Sequence, residues 1–179
     1  AAVYCLGDTI KVNNTSTNAN SYTWFWGDGQ SSSGANPVHV YQVAGNYTIY
    51  LRAERVNNSG LVCYDTTVRF INVLVRPDVR VQSNVAVVNC APFTLNVSAP
   101  GIINETATWY IYDSTVTPSL IVVNGITAQY SFNKPGTFFA KFIAVNSLGC
   151  SDSSIINFTV RGTPVASFTP GDLAVCILD

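Results

Sequence analysis

The sequence contains no methionine, a single histidine and few charges: aspartate, glutamate, lysine and arginine together make up 11% of its 179 residues, and the formal net charge is −1. Each shortage removes a class of function. The nine basic residues are scattered singly, so there is no electrostatic footprint for nucleic acid or an anionic membrane surface. His39 has no cysteine or histidine partner at metal-ligand spacing, and one imidazole does not build a zinc site. Apolar runs are short. Ile71 to Val75 is broken by Asn72, far below the roughly 20 residues needed to cross a membrane as a helix. No G-x-S-x-G elbow, phosphate-cradling glycine loop or carboxylate pair occurs, which argues against an enzyme and against a bound cofactor. No segment sustains apolar residues at three-to-four-residue spacing, so essentially no long helix is expected.

What is present is asparagine, serine and threonine, which suit turns and exposed strand faces and compete with the backbone inside helices. The reading is all-β. Its centre is Tyr22 to Leu51, which alternates, turns on Gly27-Asp28-Gly29 and alternates again through Tyr47 to Leu51. Period two places Tyr22, Trp24 and Trp26 on one face and Thr23 and Phe25 on the other. A tryptophan-bearing strand ahead of a glycine turn is the pattern of an immunoglobulin-like sandwich centre.

The chain repeats itself. Cys5 and Cys90, Trp24 and Trp109, and Asp28 and Asp113 are each separated by 85 positions. Ala44 to Ala53 (AGNYTIYLRA) answers Pro135 to Ala144 (PGTFFAKFIA), which sets Gly45 and Tyr47 against Gly136 and Phe138. Matched segments in one order predict tandem β-sandwiches in an extended array, one over residues 1–76, a second over 77–162 and the start of a third over 163–179. Proline at Arg76-Pro77 and at Gly162-Thr163-Pro164 suits short, stiff junctions. Ala1 shows no signal peptide, and both ends read as cuts inside repeats of a longer chain.

Five cysteines in a lysine-poor, strand-rich chain point to an oxidising, extracellular setting. Cys5 and Cys63 are 58 positions apart and Cys90 and Cys150 are 60 apart. This like spacing predicts one bridge within each repeat, Cys5–Cys63 and Cys90–Cys150, with Cys176 pairing beyond Asp179. The alternative is five buried thiols. Trp24 and Trp109 read as core, with a carbohydrate-stacking platform as the functional alternative, and Trp26 and Tyr110 are open to either role. Asp28 reads as turn chemistry between two glycines. The rival is a calcium ion at a junction held by Asp65 or Asp78, although calcium takes six or more oxygens and only isolated aspartates are visible. His39 reads as a packed, hydrogen-bonded ring ahead of Tyr41.

These residues carry a resemblance. Trp24, Trp26, Gly27, Asp28, Gly29, Asn36, Pro37, His39, Tyr41, Gly45, Tyr47, Ile49 and Leu51 resemble the PKD-domain pattern W-x-F-G-D-G, N-P-x-H-x-Y, G-x-Y-x-V-x-L, with Trp26 in the usual phenylalanine place. The second repeat is similar but degenerate, keeping Trp109, Asp113, Pro135, Gly136 and Phe138. The paired-cysteine variant resembles the PKD arrays of very large surface proteins of gliding Bacteroidota, the SprB-type adhesins exported by type IX secretion. That resemblance implies a non-catalytic cell-surface stalk whose partners are neighbouring repeats, surface polysaccharide or laterally associated copies. An accessory module of a secreted protease or polysaccharide-degrading enzyme is the other family role, and exposed aromatics such as Phe25 and Tyr50 would favour it.

Overall fold

The computed structural model describes residues 1–86, 89–103, 105–169 and 171, and every regular element among them is a strand. Cys176 and Asp179 lie outside the described residues, as does most of the expected third repeat. The chain forms two compact units. The first holds Ala1–Val79 with Gly101–Ala107 and Ile143–Ser153; the second holds Arg80–Pro100, Thr108–Phe142 and the chain from Ser154 on. Sequence repeats and compact units therefore do not coincide, because the turn around Asn146 to Cys150 belongs to the first unit.

In the first repeat the strands are β1 (Ala2–Cys5), β2 (Ile10–Lys11), β3 (Ser21–Phe25), β4 (Ser31–Ser33), β5 (Val38–His39), β6 (Gly45–Val56) and β7 (Val62–Leu74). They form a five-stranded sheet ordered β1-β7-β6-β3-β4 and a two-stranded sheet β2-β5. β1 runs parallel to the end of β7, from Ala2 opposite Ile71 to Cys5 opposite Leu74. The neighbours β7-β6, β6-β3 and β3-β4 are antiparallel. The alternation read from the sequence is the alternation of burial: Trp24, Trp26, Ile49 and Leu51 are buried, while Phe25 is exposed. With Ile10, Tyr41, Ile71 and Val73 they make one core.

The second repeat contributes β8 (Gln82–Ser83), β9 (Asn89–Cys90), β10 (Phe93–Ser98), β11 (Thr106–Tyr112), β12 (Leu120–Asn124), β13 (Thr127–Phe132), β14 (Gly136–Val145) and β15 (Ser151–Arg161). The sheets are β12-β11-β14-β15-β9 and β13-β10-β8. Trp109, Ile111, Phe132, Phe138 and Phe142 are at most 1% exposed and fill the interior. β9 lies parallel to the end of β15, as β1 lies to β7. Facing sheets around an aromatic interior, with short first strands parallel to the last, make the fold all-β and immunoglobulin-like.

Neither predicted disulfide forms. Cys5 is bonded to Cys150 with Cα atoms 5.6 Å apart, and Cys63 and Cys90 are exposed free thiols. The reason is the length of the late strands. Cys5 sits beside Leu74, eleven residues along β7 from Cys63, which at strand rise is roughly 35 Å. Cys90 sits beside Arg161, likewise eleven residues along β15 from Cys150. A disulfide needs Cα atoms about 4.4–6.8 Å apart. The like spacing in the two repeats reflects the same eleven-residue offset between each late cysteine and the residue opposite the early one.

Candidate functional site

The glycine turn of the first repeat organises a buried aromatic stack. Gly27 and Gly29 both have positive φ, 85° and 90°, which glycine adopts without steric cost. Gly27 also presses on β6, where an added Cβ would lie 2.8 Å from the Thr48 carbonyl oxygen. Between them, Asp28 accepts the Gln30 backbone N–H on Oδ1 at 3.0 Å and contacts His39 Nε2 through Oδ2 at 2.7 Å. The His39 ring stacks on Trp26 at 4.6 Å and meets Tyr41 edge-on at 4.6 Å. Tyr41 stacks on Tyr47 at 4.1 Å and donates its hydroxyl to the Trp26 carbonyl at 2.6 Å. Trp26 donates from Nε1 to Ser32 Oγ, and Trp24 to the Gly34 carbonyl.

Burial pushes the Asp28 pKa upward, but the Gln30 N–H and the hydrogen bond and charge of His39 outweigh it and hold the carboxyl below its usual value. Burial first, then the nearby Asp28 charge and Tyr47, push the Tyr41 phenol up to about 12. These contacts tie the glycine turn to β5 and to the start of β6. Among the described residues, no three histidine, cysteine, aspartate or glutamate side chains converge as metal ligands. Asp65 accepts the Thr66 N–H, and Asp78 lies against Gly101.

The second repeat keeps the aspartate and changes its partner. Asp113, 1% exposed, accepts from the Thr115 N–H and hydroxyl and from Tyr130 at 3.1 Å. Burial and that carboxylate raise the Tyr130 pKa. Trp109 lies 4.6 Å from Phe142. Gly45 and Gly136 open β6 and β14 so that the ring two residues on can fold across them: Tyr47 atoms lie 3.7 Å from a Cβ built on Gly45, and Phe138 Cζ 2.7 Å from one on Gly136. That closeness is the physical content of the G-x-aromatic pattern.

Two features remain at the surface. On the outer face of the larger first sheet, Phe25 and Tyr50 are cross-strand partners with ring centroids 5.7 Å apart, and Arg52 lies 4.4 Å over the Tyr64 ring. The other feature is the neighbourhood of the disulfide within the first unit. Arg76 donates to the Leu6 carbonyl, to Asp8 and to the Ser151 carbonyl at 2.6–2.9 Å. Asp8 accepts the Cys5 N–H on its other oxygen, and Asn146 donates to the Val75 carbonyl.

The segment that holds the aromatic stack and the glycine turn is similar to a known domain family. Residues 4–71 match the PKD domain. That match frames Trp24, Trp26, the Gly27-Asp28-Gly29 turn, His39, Tyr41, Gly45 and Tyr47, all inside the PKD segment. Among solved structures the whole chain is similar to the fibronectin(III)-like modules of Clostridium thermocellum CbhA. Identity is 14%, coverage 95% of this chain and 94% of that one, and the TM-score 0.35. It is also similar to Bacteroides ovatus SGBP-B of a mixed-linkage glucan utilization locus, in complex with a mixed-linkage heptasaccharide. Here identity is 15%, coverage 89% and 42%, and the TM-score 0.30. The PKD pattern identified the stack, but sequence reasoning missed Arg76, which it read only as a junction. It also missed Asn146 and the Asp113–Tyr130 pair. A signal for Asn146 was available, since Val-Asn followed three residues later by Gly precedes each late cysteine (Val56-Asn57…Gly60, Val145-Asn146…Gly149).

Proposed function

We propose that the chain is a non-catalytic structural repeat of a large extracellular adhesin, in which PKD-type sandwiches transmit force and extend an adhesive region, in the setting of gliding motility. The observation that carries this reading is the Cys5–Cys150 bond, with its sequence separation of 145. Tension applied between the chain ends passes from Cys5 through the sulfurs to Cys150. The residues between them, including the whole PKD core, leave the force path. The segments still loaded are β1, laid along the end of β7, and β15, flanked by β14 and β9, whose ladders resist sliding along the strand axis. The motif resemblance to gliding adhesins supports the cellular setting, and a disulfide supports an extracellular one.

A second reading has its own observation. Phe25, 44% exposed, is the cross-strand partner of Tyr50 with ring centroids 5.7 Å apart, and the pair offers apolar ring surface on which a sugar could pack. Retention on immobilised cellulose, chitin and mixed-linkage glucan separates the two. The stalk reading expects none. Retention that disappears in Phe25→Ala/Tyr50→Ala would replace it with an accessory glycan-binding module.

A further inference from the structure

We propose that Cys63 and Cys90 are the two halves of one further staple, in which the Cys90-type cysteine of one repeat bonds the Cys63-type cysteine of the repeat that follows it. The Cys5–Cys150 bond supplies the template, because it joins the early cysteine of one sequence repeat to the late cysteine of the next.

Both halves of that template recur. The late cysteine is presented by an asparagine turn. Asn146 Oδ1 accepts the N–H groups of Leu148 and Cys150, its N–H bonds the Cys150 carbonyl, and Gly149 closes the turn with φ 90°. In the first repeat, Asn57 Oδ1 accepts the N–H groups of Ser59 and Leu61, its N–H bonds the Leu61 carbonyl, and Gly60 has φ 79°. The first of these turns is held by Cys5, Arg76 and Val75. The second stands in solvent, with Leu61 63%, Val62 45% and Tyr64 63% exposed. The early cysteine also recurs: Cys5 and Cys90 each end a short strand lying parallel to the end of the repeat's last strand.

The registers fit each other in detail. Cys150 takes the turn position that Leu61 holds in the first repeat, so Cys63 stands two residues further from its turn, on the same face of the strand. Val-Arg follows or ends each late strand, Val75-Arg76 and Val160-Arg161. Cys5 lies opposite Leu74, two residues before the first arginine, whereas Cys90 lies opposite Arg161 itself. Cys90 is thus two residues nearer the following repeat, and Cys63 two residues further back from its turn. Each shift is about 7 Å at strand rise, and the two cancel. In forming the bond, each thiol loses a proton, and the two electrons pass to a small-molecule disulfide that is released as two thiols.

The staple deepens the stalk reading, but its test reads connectivity alone. A tandem chain is made of residues 1–171 followed by a second full copy, with Cys63→Ser in the first copy and Cys90→Ser and Cys176→Ser in the second. It is oxidised with glutathione disulfide, and the monomer is digested with trypsin and mapped by mass spectrometry. The expected result is a cross-link from the Val56–Arg69 peptide to the Cys90 peptide in most of the monomer, at least ten-fold above the reversed arrangement, which keeps Cys63 in the first copy and Cys90 in the second. Cys5–Cys150 in both copies reports that the chain has folded. Cys63 and Cys90 left as free thiols beside intact Cys5–Cys150, or equal cross-linking in both arrangements, would overturn the staple. Polysaccharide retention would count against the stalk and leave the staple standing.

Discussion

Alanine at two equivalent glycines should change stability in opposite directions. Gly45 and Gly136 begin matching strands, neither has positive φ, and each lies under the ring two residues on. Removing a glycine restricts the unfolded chain and stabilises by about 0.4–1 kcal/mol where the native conformation accepts the new residue. At Gly45 the nearest Tyr47 atoms lie 3.7 Å from the new Cβ, an ordinary contact, so Gly45→Ala should stabilise by about that amount. At Gly136 the Cβ would lie 2.7 Å from Phe138 Cζ. That ring is 1% exposed and hemmed in by Phe132 at 4.4 Å and Phe158 at 5.9 Å. Overpacking of this kind costs about 1–3 kcal/mol, so Gly136→Ala should destabilise by about 1–2 kcal/mol after the entropic gain. Hydrogen exchange read by mass spectrometry follows the two units separately. The second unit should lose protection by roughly five- to thirty-fold in Gly136→Ala, while the first gains slightly in Gly45→Ala. The same sign at both positions would refute the ring-over-glycine account.

Three other outcomes follow from the same contacts. Tyr41→Phe leaves the buried Trp26 carbonyl without its donor and should cost about 1–3 kcal/mol, read from the denaturant midpoint; an unchanged midpoint would contradict the geometry. Because Asp28 is held below its usual value, its contribution is full above the ordinary carboxylate range and is lost as pH falls through the lowered folded value. Wild-type stability should therefore drop on acidification with a step that Asp28→Asn lacks, and identical acid limbs would refute it. Reducing Cys5–Cys150 frees a loop of 145 residues, which the chain-entropy model values at about 5 kcal/mol. Cys5→Ser should reproduce the reduced chain in thermal melts, while Cys63→Ser should leave the melt unchanged.

The sequence carried the fold because period-two alternation fixes which side chains face inward. Trp24 and Trp26 point to the core and Phe25 outward for that reason alone. The repeat was legible too, since matched segments such as Ala44 to Ala53 and Pro135 to Ala144 occupy equivalent strands, β6 and β14. Disulfide pairing was not legible, because position within a 13-residue strand such as β7 decides whether two cysteines meet, and spacing in sequence does not encode it. Asp113 shows a similar limit. The aspartate survives in the degenerate repeat, but its new partner, Tyr130, lies on a strand without the N-P-x-H signature.

Force spectroscopy on the 179-residue chain, pulled by its ends before and after reduction, tests the mechanical reading most directly. A separation of 145 residues corresponds to about 500 Å of extended chain. The account predicts that this length stays hidden in the oxidised chain and is released only after reductant is added. Full release from the oxidised chain, with no change on reduction, would contradict it.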